Sequence, residues 1–218
     1  LLNMKIIFAA TPDISISCLE EILNSSHEIG LILTMPDKPT GRGKKFLPGP
    51  IKKFCLENNL PFVQPKNLKS IEVKNIFKEV ESDLLIVFAY GKIIPKDIFN
   101  LPTYGSINVH TSILPSYRGA APIQRAIING EKFTGITFMK LSEGLDEGPI
   151  IESFKVAIEE EETSGSLAEK MAKVSSREIL QTIENIELNN VEYTDQDHSK
   201  ASYADKLLKS KSCINWDN

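Results

Sequence analysis

The sequence predicts an α/β protein, an open and mostly parallel sheet with helices on both faces. Two observations carry that prediction. Short apolar runs rich in β-branched residues recur along the chain, the strongest being DLLIVFA over 83–89, and strands covered on both faces need such runs rather than strict alternation. Between them lie segments with apolar residues at helical spacing, and strands alternating with helices imply crossover connections in a parallel sheet.

Taken in order, 5–9 (KIIFA) reads as the first strand. Thr11-Pro12-Asp13 breaks it and opens a helix in which Ile14, Cys18, Leu19 and Ile22 share a face. A strand over 29–34, helices over 51–58 and 71–80, and the strand over 83–89 follow. Next come a strand over 106–110, a helix over 121–129 and a strand over 135–141. After Gly148 the pattern changes, with 149–158 read as a strand antiparallel to its neighbour. The acidic run 159–162 leads into Thr163-Ser164, which can cap a long helix reaching about residue 186. From Glu187 onward the chain is polar and shows no second core, while 36–48, rich in Pro, Gly and Lys, reads as a long flexible loop.

At 218 residues the chain suits one large domain. With 41% hydrophobic and 25% charged residues it is not a largely disordered protein. No apolar run approaches the ~18–20 residues of a membrane helix. The start Leu1-Leu2-Asn3-Met4-Lys5 lacks a signal peptide's basic region, and Met4 reads as the natural start. Cys18, Cys55 and Cys213 form no C-x-x-C pair, which argues against a disulfide framework or zinc ribbon and for a cytoplasmic protein. A net charge of −4 argues against a nucleic-acid binder, but that average conceals a local excess. Residues 36–53 hold Lys38, Arg42, Lys44, Lys45, Lys52 and Lys53 against Asp37 alone, a net of +5 that leaves −9 on the rest. Such a basic loop seeks phosphate, as on RNA, and a merely soluble surface loop is the competing reading.

The first turn, Ala9-Ala10-Thr11-Pro12-Asp13, holds no glycine, so the backbone cannot approach a dinucleotide pyrophosphate as G-x-G-x-x-G does. Gly41-Arg42-Gly43-Lys44 lacks the spacing and the Ser/Thr of an ATP-binding loop. The informative stretch is Ser106-Ile107-Asn108-Val109-His110-Thr111-Ser112-Ile113-Leu114-Pro115. Alternation puts Ile107 and Val109 on one strand face, Asn108 and His110 on the other. Polar groups on a buried strand are costly without partners. Near the strand's carboxyl end, an amide and an imidazole can stabilise one developing oxyanion, though a satisfied structural histidine remains the alternative. After the strand over 135–141, Ser142-Glu143-Gly144-Leu145-Asp146-Glu147-Gly148 forms an acidic loop that can bring Asp146 to the same edge, to orient His110 or relay a proton. With three histidines in the chain, of which His27 and His198 look unrelated, no metal site is expected.

Taken together, Thr11-Pro12-Asp13, the basic loop, Ala89-Tyr90-Gly91-Lys92-Ile93-Ile94-Pro95, Asn108-Val109-His110, Ser112-Ile113-Leu114-Pro115, Tyr117-Arg118-Gly119-Ala120-Ala121-Pro122 and Gly144-Leu145-Asp146-Glu147-Gly148 make the chain resemble a known family. It is similar to the formyltransferases that use 10-formyltetrahydrofolate, and within them to the branch acting on methionyl-tRNA. The resemblance runs from Lys5 to about Trp216. It implies a Rossmann-like fold and transfer of a formyl group from 10-formyltetrahydrofolate, a co-substrate, to methionine on initiator methionyl-tRNA in translation initiation, without a metal. It implies Asn108, His110 and Asp146 as the catalytic trio, the first two on the oxyanion and Asp146 adjusting His110. Phe88, Tyr90, Gly91, Ser112, Ile113, Leu114, Pro115 and Leu141 would line the folate pocket, and Lys38, Arg42, Lys44 and Lys45 would meet the tRNA. Formylation of a nucleotide-linked aminosugar or of glycinamide ribonucleotide is an alternative activity, and a non-catalytic tRNA- or folate-binding module is another. Ala10 and Thr111 stand where the family often has glycine, and Ile113 where it has leucine. The family's smaller β-rich domain would follow Trp216, so 1–200 is expected to be the catalytic domain and 201–218 the start of a linker, in a monomer without membrane attachment.

Overall fold

The computed structural model describes residues 3–40 and 45–208. Its centre is the all-apolar strand Leu84–Phe88 (β6), every residue of which is buried. At roughly 1.5–3 kcal/mol for each large apolar side chain withdrawn from water, that strand anchors the sheet. β6 pairs in parallel with β1 (Lys5–Ala10), and β1 pairs in parallel with β2 (Glu28–Leu33), itself flanked by the short β5 (Phe62–Val63). On its other side β6 pairs in parallel with β7 (Ser106–His110). The chain thus runs outward from β1 in one direction and later returns to the opposite side, which opens a crevice between the ends of β1 and β6.

Beyond β7 the direction reverses. β8 (Phe133–Lys140) lies antiparallel to β7, and β9 (Ile150–Ala157) antiparallel to β8, completing the order β5-β2-β1-β6-β7-β8-β9. The antiparallel β9 agrees with the sequence, whereas the helix between β7 and β8 had the pattern of a parallel crossover. That helix, α5 (Pro122–Ile128), is seven residues long and returns the chain past β7 in the opposite sense.

One face of the sheet packs Phe8, Ile86, Phe88, Ile107 and Val109 under α1 (Ile16–Leu23), α2 (Pro50–Glu57), α5 and α6 (Ser164–Glu187). In α6, Leu167, Met171, Ser175, Ile179, Ile183 and Ile186 are buried, the spacing of a single helix face. Thr163 caps that helix with a reciprocal bond pair to Ser166. The other face packs Ile7, Leu33, Leu85 and Val87 under α3 (Ile71–Val80) and the short α4 (Lys96–Phe99), the latter unforeseen in the sequence.

The basic loop has more order than its composition suggests. Its base forms a small antiparallel ladder, β3 (Pro39–Thr40) with β4 (Lys45–Phe46). The Asp37 carboxylate accepts from Lys52 Nζ at 2.5 Å and Gln64 Nε2 at 2.9 Å, which ties the loop to the sheet edge. Among the described residues no helix is long and apolar enough to cross a membrane.

Candidate active site

Two registers, parallel between β6 and β7 and antiparallel between β7 and β8, place Val87, Asn108 and Met139 side by side. They form the floor of a cavity of about 550 Å³, within the usual range for small-molecule sites. The loop after β6 makes one wall with Ala89, Gly91, Ile93 and Ile94, and Pro12 after β1 closes the crevice end. Ala89 and Gly91 both turn in the left-handed region, with φ of 52° and 90°.

The opposite wall comes from the β8–β9 hairpin. The sequence placed its acidic loop at the carboxyl edge of a parallel strand. Because β8 runs antiparallel, the hairpin instead leaves the sheet level with Ser106, whose carbonyl accepts from Leu141 N at 2.8 Å. It then folds back over the face of β7. Gly148 is needed where the hairpin crosses itself, since a Cβ there would lie 1.8 Å from the Lys140 carbonyl oxygen. Asp146, also left-handed at φ 52°, is carried over Asn108 and His110.

There the side chains converge. Asn108 Nδ2 donates to Asp146 Oδ1 at 3.2 Å. Asp146 Oδ2 accepts from the Gly119 backbone N–H at 2.8 Å and stands 3.6 Å from His110 Nδ1. His110 Nε2 lies 2.9 Å from the Tyr117 carbonyl oxygen, which only accepts, so that nitrogen carries a proton. An imidazolium would therefore satisfy acceptors at both ring nitrogens, and the Asn108 amide uses one of its two N–H bonds on Asp146. His110 is 5% exposed, so these contacts operate in a weakly screened setting.

Of the residues the resemblance assigned to folate, Phe88, Tyr90, Gly91 and Leu141 line the cavity. Burial pushes the Tyr90 phenol up to about 12, so it stays protonated. Ser112, Ile113, Leu114 and Pro115 do not line it. Ser112 is buried with its hydroxyl on the Ser116 carbonyl, its own carbonyl takes the Thr137 hydroxyl, and Ile113 packs above Gly135 of β8. Lys38 is exposed on the basic loop, while Arg42, Lys44 and the side chain of Lys45 lie outside the described residues, as does Trp216. Ser142, Glu143 and Leu145, on the loop from Leu141 to Asp146 that the resemblance places along the folate pocket, also line the cavity. Arg118, in the stretch Tyr117 to Pro122 that contributes to the resemblance to the tRNA branch, is 1% exposed and bonded to Gln196. No local sequence signal marks Gln196, which lies fifty residues from the hairpin it contacts. Residues 202 and 204 exchange backbone bonds with Arg118 and Ala121, so the boundary expected after residue 200 falls within this packing.

The family model described as formyl transferase matches residues 4–183. A methionyl-tRNA formyltransferase of Dictyoglomus thermophilum is 47% identical over 214 residues, covering 98% of this chain and 68% of that protein. One from Acetivibrio thermocellus is 42% identical over 213 residues, with 98% and 68% covered. Among solved structures, a sugar 3N-formyl transferase determined with dTDP and 5-N-formyl-THF superposes with a TM-score of 0.69 at 23% identity, over 94% of this chain and 70% of that one.

Proposed function

Since this chain belongs to the formyl transferase family, we propose that it moves a formyl group from 10-formyltetrahydrofolate to the amino group of methionine on initiator methionyl-tRNA. The observation that carries this reading is the meeting of Asn108, His110 and Asp146 at one end of an otherwise largely apolar cavity. Identities of 47% and 42% to two methionyl-tRNA formyltransferases over 98% of this chain favour the tRNA over the aminosugar acceptor.

The methionine nitrogen attacks the formyl carbon, and a carbon–nitrogen bond forms as the carbonyl oxygen takes up charge. Asn108 offers its second N–H to that oxygen, and the charge of a protonated His110 lies behind it. Collapse breaks the bond to the folate nitrogen, and the proton lost by the amine ends there. Asp146, fixed by Asn108 and Gly119 N–H, holds His110 in orientation and passes the proton through water. The apolar walls from Phe88 to Ile94 and at Leu141 receive the folate ring, and Lys38, Arg42, Lys44 and Lys45 meet tRNA phosphates, which position rather than select.

The test offers the protein 10-formyltetrahydrofolate with charged initiator tRNA or with a nucleotide-linked aminosugar. The tRNA should become formylated and the sugar should not. His110→Ala should slow transfer by roughly 10²–10⁴-fold; transfer untouched by that change would overturn the mechanism.

A further inference from the structure

The polar segment after α6 carries a buried amide that the cavity lining does not account for. Gln196 is 6% exposed and all its hydrogen-bonding capacity is used. Its Oε1 accepts from Arg118 Nε at 3.1 Å and Nη2 at 2.7 Å, and its Nε2 donates to the carbonyls of Asp146 at 2.9 Å and Gly148 at 2.7 Å. A guanidinium has donors only, so Arg118 fixes which end of the amide faces the hairpin. Arg118 in turn lies 3.6 Å from Glu147 Oε1 and 3.3 Å from His198 Nδ1.

The same segment is sewn to the loop after β7. Arg118 N donates to the Ser202 carbonyl at 2.8 Å, Ala204 N to the Arg118 carbonyl at 2.7 Å, and Tyr117 N to Ser202 Oγ at 2.9 Å. That loop supplies the Tyr117 carbonyl under His110 and the Gly119 N–H on Asp146. Gln196 therefore ties together two loops whose separation sets the distance from Asp146 to His110.

We propose that Gln196 is a positioning residue for formyl transfer: its amide, oriented by Arg118, holds the backbone at Asp146 and Gly148 so that the carboxylate stays on Asn108, His110 and Gly119 N–H. This rests on the formyl-transfer reading above. The structure thereby makes the segment around 196–204 part of the catalytic apparatus.

Two variants test it. Gln196→Met keeps the length of the side chain and removes its hydrogen bonds, and Gln196→Glu keeps an acceptor for Arg118 while removing the donors to both carbonyls. Transfer is measured in the full chain at a temperature where circular dichroism gives the native signal. Both variants should lower kcat by about 10-fold or more, with KM for the folate donor moving less than about 3-fold, as misplacement of a catalytic group predicts. In an Asp146→Asn background the same Gln196 changes should add no further loss, because the group being positioned is already disabled. An unchanged kcat, or equal fold-losses in both backgrounds, would overturn the proposal. Wild-type kcat in Asp146→Asn alone would instead sink the reading of the site. Should Gln196→Met fail to fold, Gln196→Glu, which preserves the partner of buried Arg118, decides the matter alone.

Discussion

Each oxygen of the Asp146 carboxylate is held by a different element, Oδ1 by Asn108 on β7 and Oδ2 by the backbone of Gly119. That cross-linking explains how a residue with left-handed backbone persists at the tip of a hairpin, and strained conformations of this kind gather where surrounding contacts over-determine them. A second residue shows the same dependence on surroundings with a measurable consequence. His27 Nδ1 accepts from Met4 N at 3.3 Å, a role for an unprotonated nitrogen. Burial holds its pKa below the ordinary histidine value, with Glu187 opposing. As pH falls through about 6.5 the unfolded chain therefore takes up a proton that the native protein resists, and stability declines; above that value the contribution vanishes. Urea unfolding between about pH 7 and pH 5 should show a shallower loss in His27→Gln than in the parent, the glutamine being able to accept the same bond without titrating. Parallel curves would refute this assignment.

At the scale of elements, the hairpin between β8 and β9 and the helix α6 respond to different physics. The hairpin depends on one glycine whose absent Cβ permits backbone to pass at contact distance of the Lys140 carbonyl. Gly148→Ala should destabilise the fold by about 3 kcal/mol and reduce transfer even in the folded fraction, because Asp146 moves with the hairpin. A variant of parental Tm and activity would show that the hairpin shifts freely. In α6, Thr163 satisfies the Ser166 N–H and is in turn bonded by Ser166, at distances of 3.1 Å. Thr163→Ala should cost about 1 kcal/mol of stability with kcat intact, since the helix packs on the face of the sheet opposite the cavity. Loss of kcat in step with stability would contradict that separation.

Across the whole molecule, charge is divided between a body of −9 and a loop segment of +5. Binding of tRNA should accordingly weaken with salt, and Arg42→Ala should lower the slope of log K against log salt by about 1 without changing kcat at saturating tRNA. An unaltered slope would remove Arg42 from the contact. Much of this protein is legible in its sequence because local pattern determines local geometry. The apolar run at 84–88 could only be a central strand, Ile71–Val80 appears as read, and alternation along Ser106–His110 placed Asn108 and His110 on one face. What local pattern cannot specify is the direction in which a strand docks or the face over which a loop folds, since both depend on packing between residues far apart in the chain. Hence Asp146 reaches the site by a hairpin folded back from the amino end of β7, Ser112 to Pro115 turn away from the cavity to bond Ser116 and Thr137, and Arg118 is buried under an amide from the tail. Local pattern thus reveals the long strands and helices and offers Asn108, His110 and Asp146 as candidates, whereas short elements such as α4 and the way the side chains meet emerge only on folding, because a hydrogen bond between Gln196 and Asp146 exists through the folded distance between them and leaves no trace in their neighbours along the chain.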